Sequence, residues 1–189
     1  MGTRHLTVVV KDAKIKVAQY GQWDGYPDYT GLGILEILRE DLDNLVNGLE
    51  NCIEADEGIH ETMRKHVEEV SKTSIEGGWM TMEQGEVYQD LYPEQHRSTG
   101  FRILKLVADS QTPLYLTNSF DFAAETVFCE WAYVIDLDNG KFETYQSGPG
   151  GSQGIFARLG ENTVNMVATY DLDELPSDEE YMRQWNPED

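Results

Sequence analysis

The chain has little basic charge, few cysteines and no long apolar run. Its 189 residues include 14 lysines and arginines against 35 aspartates and glutamates, a formal net charge of −21. Such a chain repels phosphate backbones and anionic lipid, so we predict no direct nucleic-acid binding and no membrane association. No apolar stretch approaches the roughly 20 residues that span a bilayer, and the N-terminus lacks the pattern of a signal peptide. We therefore expect a soluble, cytoplasmic protein.

Several catalytic and metal-binding motifs are also missing. Cys52 and Cys129 are far apart and form no CxxC pair, which favours two reduced thiols. His60-Glu61 lacks the second histidine of an HExxH motif, and 136–140 resembles a calcium loop with its glycine one place early. The stretch GGSQG at 150–154 has the GxSxG spacing, but it lies in a glycine-rich loop that precedes a predicted strand rather than a helix, so it predicts no nucleophile elbow. We predict neither a metal site nor a cofactor.

Strand patterns dominate the two ends of the chain. With 40% hydrophobic residues, the chain is long enough for one buried core, so we predict a single domain over 1–189 with an acidic C-terminal segment, 171–189. Alternating apolar residues predict a hairpin of strands 6–11 and 14–20 around Asp12-Ala13. A central strand over 127–137 is expected to turn back at Asn139-Gly140, and a last strand covers 163–170.

Helical spacing dominates the middle of the chain. After Thr30, which fits an N-cap, apolar residues predict one bent helix or two consecutive ones, interrupted near Gly58. Further helices are expected over 59–70, after Ser98 or Thr99, and after Ser177. These elements predict an α+β fold in which helices pack on a mainly antiparallel sheet with an N-terminal hairpin.

The hairpin register predicts where a site would form. A turn at Asp12-Ala13 pairs Val10 with Ile15, and an uninterrupted ladder then pairs Val8 with Val17, Leu6 with Gln19 and Arg4 with Gly21. Arg4 and Gln19 would then meet at the open end of the hairpin, where the loop after Gly21 begins. A guanidinium and an amide at the rim of a core suit an anionic or planar polar ligand.

Loop residues and one strand carboxylate complete the predicted site. Loops on a rigid hairpin often carry function, and Glu130 interrupts an otherwise apolar strand face, where a carboxylate needs a partner. The alternative is structural: Arg4 pairs with Asp24 or Glu130 and closes the end of the sheet. The candidate ligand-binding residues are Arg4, Gln19, Gln22, Trp23, Asp24, Tyr26 and Glu130, and we assign no catalytic residue.

Acidic residues are concentrated in two segments. Residues 36–69 contain eleven acids against three bases, and residues 171–189 contain eight acids against one base. Such runs are typical of solvated surfaces that maintain solubility. They also fit a DNA mimic or an inhibitor that docks on a basic protein.

Three segments carry a family resemblance. GTRHLT at 2–7, VAQYGQWDGYP at 17–27 and FCEWAYVIDLD at 128–138 resemble an uncharacterised protein family of phages, prophages and bacteria. The resemblance reaches both ends of the predicted core and is weakest in the middle helices. It implies a phage-associated context, in which small acidic proteins often counter host defences. It transfers no catalytic residue.

Three functions are consistent with these patterns. The first is a non-enzymatic counter-defence protein that captures a small anionic, nucleotide-like signal: Arg4 would contact the anionic group, Trp23 or Tyr26 would stack on the base, and Asp24 or Glu130 would accept hydrogen bonds. The second is an amidohydrolase-like enzyme with a carboxylate as general base. The third is an acidic inhibitor of a basic host protein. The oligomeric state stays open.

Overall fold

A mixed five-stranded sheet forms the centre of the fold. The structure, a computed structural model, describes residues 2–148 and 153–185. The strands are β1 (His5–Lys11), β2 (Lys14–Gly21), β3 (Cys52–Glu54), β4 (Leu114–Leu116), β5 (Trp131–Asp136), β6 (Lys141–Gln146) and β7 (Asn165–Asp171). The main sheet has the order β2-β1-β5-β6-β7, and β3 and β4 form a separate parallel pair. In the main sheet β1 and β5 are parallel and the other neighbours are antiparallel, which confirms the predicted fold class.

The helices are α1 (Leu32–Gly48), α2 (Glu57–Ser71), α3 (Met82–Leu91), α4 (Ile103–Asp109) and α5 (Asp178–Arg183). The bent helix is confirmed, because α1 kinks at Asp41, where φ is −130° and ψ is 15°. The predicted interruption at Gly58 is wrong: α1 ends at Gly48, and Gly58 lies in the first turn of α2. None of the helices in the described part of the chain is both long and apolar enough to cross a bilayer.

Helix caps agree only in part with the sequence prediction. Ser177 caps α5 through a capping box with Glu180, as predicted. Thr30 does not cap α1, because a π-helical turn, Pro27–Gly31, precedes that helix. The Thr30 hydroxyl instead donates to the Asp24 carbonyl at 2.6 Å. Thr30 therefore holds the loop after β2 rather than the start of a helix.

Apolar cores cover both faces of the sheet. On one face, side chains from α1, α4 and α5 pack on Val9, Tyr133 and Phe142. On the other face, the 3-10 turns at 120–124 and 154–159 pack on Val8 and Val134. The strand β5 is therefore central and covered on both sides, as predicted.

A β-bulge changes the predicted hairpin register. The turn at Asp12-Ala13 is confirmed, and both residues have a φ of 56°. Val10 pairs with Ile15 as predicted, but Val9 pairs with Val17, so one extra residue stands in β2. Between this bulge and the open end of the hairpin, each residue of β2 pairs with the β1 residue one position after the predicted one. His5 rather than Arg4 therefore lies opposite Gly21. A shift of one residue moves side chains to the other face.

The second predicted hairpin also differs in its turn. Asp136 pairs with Lys141, so four residues, 137–140, connect β5 and β6 instead of the two residues Asn139-Gly140. The Asp136 carboxylate accepts hydrogen bonds from the Asn139 backbone and side-chain amides at 3.0 and 2.7 Å. These bonds to Asp136 stabilise the wider turn.

Candidate functional site

A small cavity lies at the open end of the N-terminal hairpin. It measures about 100 Å³ and is lined by the loop after β2 and by the segment that leads into α4. We call it the hairpin-end cavity. Its polar lining includes His5, Gln22, Asp24, Ser98, Thr99 and Arg102, with Trp23 at one wall.

Backbone hydrogen bonds fix the loop around this cavity. The Gln22 N–H donates to the Arg97 carbonyl at 2.9 Å, and the Gly25 N–H donates to the Thr3 carbonyl at 3.0 Å. The buried Tyr133 hydroxyl donates to the Gly25 carbonyl at 2.8 Å. The stretch before β1, the strand β5 and the segment before α4 therefore hold residues 22–25 in place.

Asp24 has a backbone conformation that is uncommon for its residue type. Its φ is 55°, in the left-handed region, where Asp and Asn are the most tolerated residues after glycine. The Asp24 carbonyl accepts a hydrogen bond from the Thr30 hydroxyl, and Asp24 lines the cavity. Backbone strain of this kind is often found at functional sites.

His5 is buried beneath the cavity with both ring nitrogens unpartnered. It is 2% exposed, and neither Nδ1 nor Nε2 makes a hydrogen bond of normal geometry within the described residues, although the Thr3 backbone lies close enough to act on the ring. Three glycines make room for the ring: a Cβ would lie 2.2 Å from the ring at Gly21, 2.8 Å at Gly100, and 2.9 Å from the His5 Cβ at Gly25. The close approach of these three backbones holds the imidazole at the cavity wall.

Burial determines the charge of His5. Desolvation lowers its pKa to about 4, and the nearby Thr3 carbonyl offsets only part of this effect. The imidazole is therefore neutral at pH 7, with one N–H donor and one acceptor nitrogen. Unsatisfied buried groups of this kind cost free energy unless water or a ligand pairs with them. A polar ligand group in the cavity would supply that partner.

Arg102 brings positive charge to the cavity. Its guanidinium donates to the Tyr29 hydroxyl at 2.5 Å and lies 5.7 Å from the Phe101 ring centroid. Arg39 and Arg64 form ion pairs with carboxylates, whereas Arg102 forms none within residues 2–148 and 153–185. In a chain with such an excess of acids, an arginine without a carboxylate partner is available to bind an anion.

Three predicted site residues lie together. Gln22, Trp23 and Asp24 line the hairpin-end cavity, and Trp23 is 47% exposed. Tyr26 lies beyond them and lines a different cleft. The structure therefore brings together the consecutive loop residues, with Tyr26 as a neighbour.

Arg4, Gln19 and Glu130 do not join them. Gln19 pairs with Thr7 on the His5 side of the sheet, two pairs deeper than His5, and is buried away from the cavity. Arg4 lies on the Leu6 side, where its guanidinium is 4.9 Å from the Phe128 ring centroid. The expected meeting of Arg4 and Gln19 is therefore wrong, because the bulge in β2 shifts the register.

Glu130 lies just before β5 rather than inside the strand. Its carboxylate accepts from the Arg4 backbone N–H at 3.3 Å, and its own N–H donates to the Arg4 carbonyl at 3.2 Å. No ion pair joins the side chains of these two residues in the described part of the chain. Glu130 thus closes the end of the sheet through the backbone of Arg4, away from the hairpin-end cavity.

Sequence reasoning missed His5, Gly100 and Arg102. The signal for His5 was its place within the 2–7 motif, as a titratable residue at the start of a largely apolar strand. The contribution of 98–102 depends on long-range packing, which a single sequence does not reveal.

Neither cysteine has the lowered thiol pKa that is typical of a reactive nucleophile. Both thiols are free, and burial raises the pKa of Cys52 to about 11 and raises that of Cys129 as well. Within residues 2–148 and 153–185, no three His, Cys, Asp or Glu side chains are grouped to hold a metal ion. The polar groups of the hairpin-end cavity are thus its neutral imidazole, an amide, a carboxylate, hydroxyls and a guanidinium.

No family model, no curated protein and no solved structure matches this chain. Comparison therefore supplies neither a family nor a fold neighbour from which a role could be transferred.

Proposed function

We propose that this chain is a phage-type counter-defence protein that captures a small, nucleotide-like anion in the hairpin-end cavity. The observation that carries the proposal is His5, a buried neutral imidazole without a partner at the cavity wall. Arg102 contacts the anionic group, and Asp24 accepts hydrogen bonds from hydroxyls or ring amines. Trp23 stacks on the base.

The size of the cavity limits which part of the ligand it encloses. Its volume of about 100 Å³ is below the roughly 300 to 1,000 Å³ of sites that enclose drug-sized ligands. The cavity therefore takes the small anionic or hydroxyl-bearing end of the ligand. The base stays at the mouth, where the exposed face of Trp23 supports it.

Native mass spectrometry of the full chain, purified from phage-infected cells, tests the proposal. We expect an added small mass on the parent protein. The Trp23→Ala variant should lose it, because base stacking is worth roughly 1 to 3 kcal/mol. Trp79→Ala is the matched control, since Trp79 is 84% exposed and lies outside the cavity lining.

The outcomes separate a binder from an enzyme. A parent protein that carries no small mass, or a Trp23→Ala variant that keeps it, contradicts the proposal. The Asp24→Asn variant keeps the shape of the side chain and removes its capacity as a general base. If the parent converts the ligand and Asp24→Asn binds without converting it, the chain is an amidohydrolase-like enzyme.

An exposed apolar pair favours a second candidate function, inhibition of a basic host protein. Trp79 and Met82 are 84% and 86% exposed next to the start of α3. The surrounding segment, 54–90, holds ten acids and three bases. An apolar anchor within an acidic surface suits a basic partner with an apolar pocket.

For the second candidate we expect a salt-dependent complex. A host protein that co-purifies with the chain should be identified, repurified and titrated at 50 and 500 mM salt. Its affinity should fall with salt, as the Debye length shrinks below about 10 Å. Trp79→Ala should weaken the complex at both salt concentrations, whereas Trp23→Ala should leave it unchanged. Binding that is indifferent to salt and to Trp79 removes this candidate.

A further inference from the structure

A second concave site lies at the same end of the sheet as the hairpin-end cavity. One row of cross-strand partners runs across the five strands in the order Gly21, His5, Trp131, Gln146 and Asn165. The hairpin-end cavity lies at Gly21 and His5, and a cleft of about 600 Å³ lies at Trp131 and Gln146. Neighbouring strands are about 4.8 Å apart, so the two sites are adjacent.

Aromatic side chains form the walls of this cleft, which we call the aromatic cleft. Trp131 and Trp185 meet edge to face, with ring centroids 5.3 Å apart and an interplanar angle of 89°. Tyr26, on the loop after β2, lines the cleft and is 52% exposed. Two rings at right angles, with a half-exposed tyrosine ring in the same lining, provide aromatic surface for a planar ligand.

Some polar groups of the residues that line the aromatic cleft already have hydrogen-bond partners, and others do not. The Gln184 side chain is occupied, since it donates to the Val167 carbonyl at 2.6 Å and accepts from the Tyr170 hydroxyl at 2.9 Å. The Trp185 Nε1–H is buried without an acceptor among the described residues. Asp28 also lines the cleft, with an exposed carboxylate. The residues that line the cleft thus include one buried donor without a partner in the described part of the chain and one exposed acceptor.

We propose that the aromatic cleft is a second binding site, which takes a planar heteroaromatic ring such as a nucleobase. Its volume falls within the range of small-molecule sites. A ring nitrogen or carbonyl pairs with the Trp185 N–H, a ring amine donates to Asp28, and the Tyr26 ring stacks on the ligand. This assignment does not depend on the anion site at His5, because none of its ring-binding groups lines that cavity.

Isothermal titration calorimetry with adenosine, guanosine, cytidine and uridine tests this site on the full chain. These probes carry a base and no anionic group. At least one should bind saturably. Tyr26→Ala should weaken that binding at least fivefold through lost stacking. Trp185→Phe keeps an aromatic ring and removes the N–H, so it should weaken binding by about tenfold.

Two further variants locate the binding. Trp79→Ala is the control for loss of an exposed aromatic side chain, and it should leave the affinity unchanged. Trp23→Ala removes base stacking at the hairpin-end cavity, so the nucleoside binding that remains in this variant should be the binding that Tyr26→Ala weakens. If no nucleoside binds, or if binding is lost only with Trp23→Ala, the aromatic cleft is not a ring site. If adenosine 5′-monophosphate binds no tighter than adenosine, that result contradicts the proposed anion site at His5. It does not bear on the ring site in the aromatic cleft.

Discussion

Between pH 7 and pH 5, His5 alone is expected to lower the free energy of unfolding by about 2 kcal/mol. Burial lowers the pKa of His5 to about 4 in the folded protein, against 6.5 as its ordinary value. Between these two values the unfolded chain binds a proton that the folded chain does not. Stability is therefore fully present above pH 6.5 and is lost as the pH falls towards 4.

Urea unfolding of the parent and of His5→Gln at both pH values measures this contribution. Protonation of the many carboxylates affects both proteins alike, so the difference between them isolates His5. The parent should lose about 2 kcal/mol more than His5→Gln. NMR titration of the His5 ring in the parent gives the same information if the variant folds poorly. Ring resonances that titrate near pH 6.5 would refute the lowered pKa.

Replacing Gly48 with alanine is expected to destabilise the fold by about 3 kcal/mol. Gly48 is the last residue of α1, where α1 packs against α4, and an added Cβ would lie 1.9 Å from the Val107 carbonyl oxygen. The obstacle is backbone, so the two helices have to move apart. The helical φ of −65° at Gly48 is compatible with alanine, so the loss is purely steric.

Gly85→Ala is the matched control for Gly48→Ala. Gly85 lies inside α3, and an added Cβ would meet no atom within 4 Å. Alanine there should stabilise the protein by up to about 1 kcal/mol, because glycine is the poorer helix former. Thermal and urea unfolding of both variants should give shifts of opposite sign. A Gly48→Ala protein as stable as the parent would contradict the close helix contact.

Local chemistry made much of the fold predictable. Asp12-Ala13, the alternating residues of β1 and β5, and the Ser177 cap each carry their information within a few neighbouring residues. The register of β2 was not predictable in this way, because a bulge of one residue leaves the apolar composition of the strand unchanged. The parallel pairing of β1 with β5 links residues 126 positions apart, and it leaves no local pattern.

The positions of the candidate site residues were also predictable only where those residues are neighbours in sequence. Gln22, Trp23 and Asp24 lie together because they are consecutive in one loop. Arg4 and Gln19 were misplaced because their pairing relied on an uninterrupted ladder. Arg102 was missed because its position depends on how α4 packs, which is a property of the assembled core.

The parallel contact between β1 and β5 also determines the order of assembly during synthesis. The β1–β2 hairpin is local and can form within microseconds once its residues are available. Its inner edge stays unpaired until Trp131–Asp136 has been made. Long-range pairing of this kind is slow and leaves strand edges exposed meanwhile. We therefore expect nascent chains that stop before β5 to expose the Leu6, Val8 and Val10 face and to aggregate or recruit chaperones, whereas chains that extend beyond the turn at 154–159 protect it.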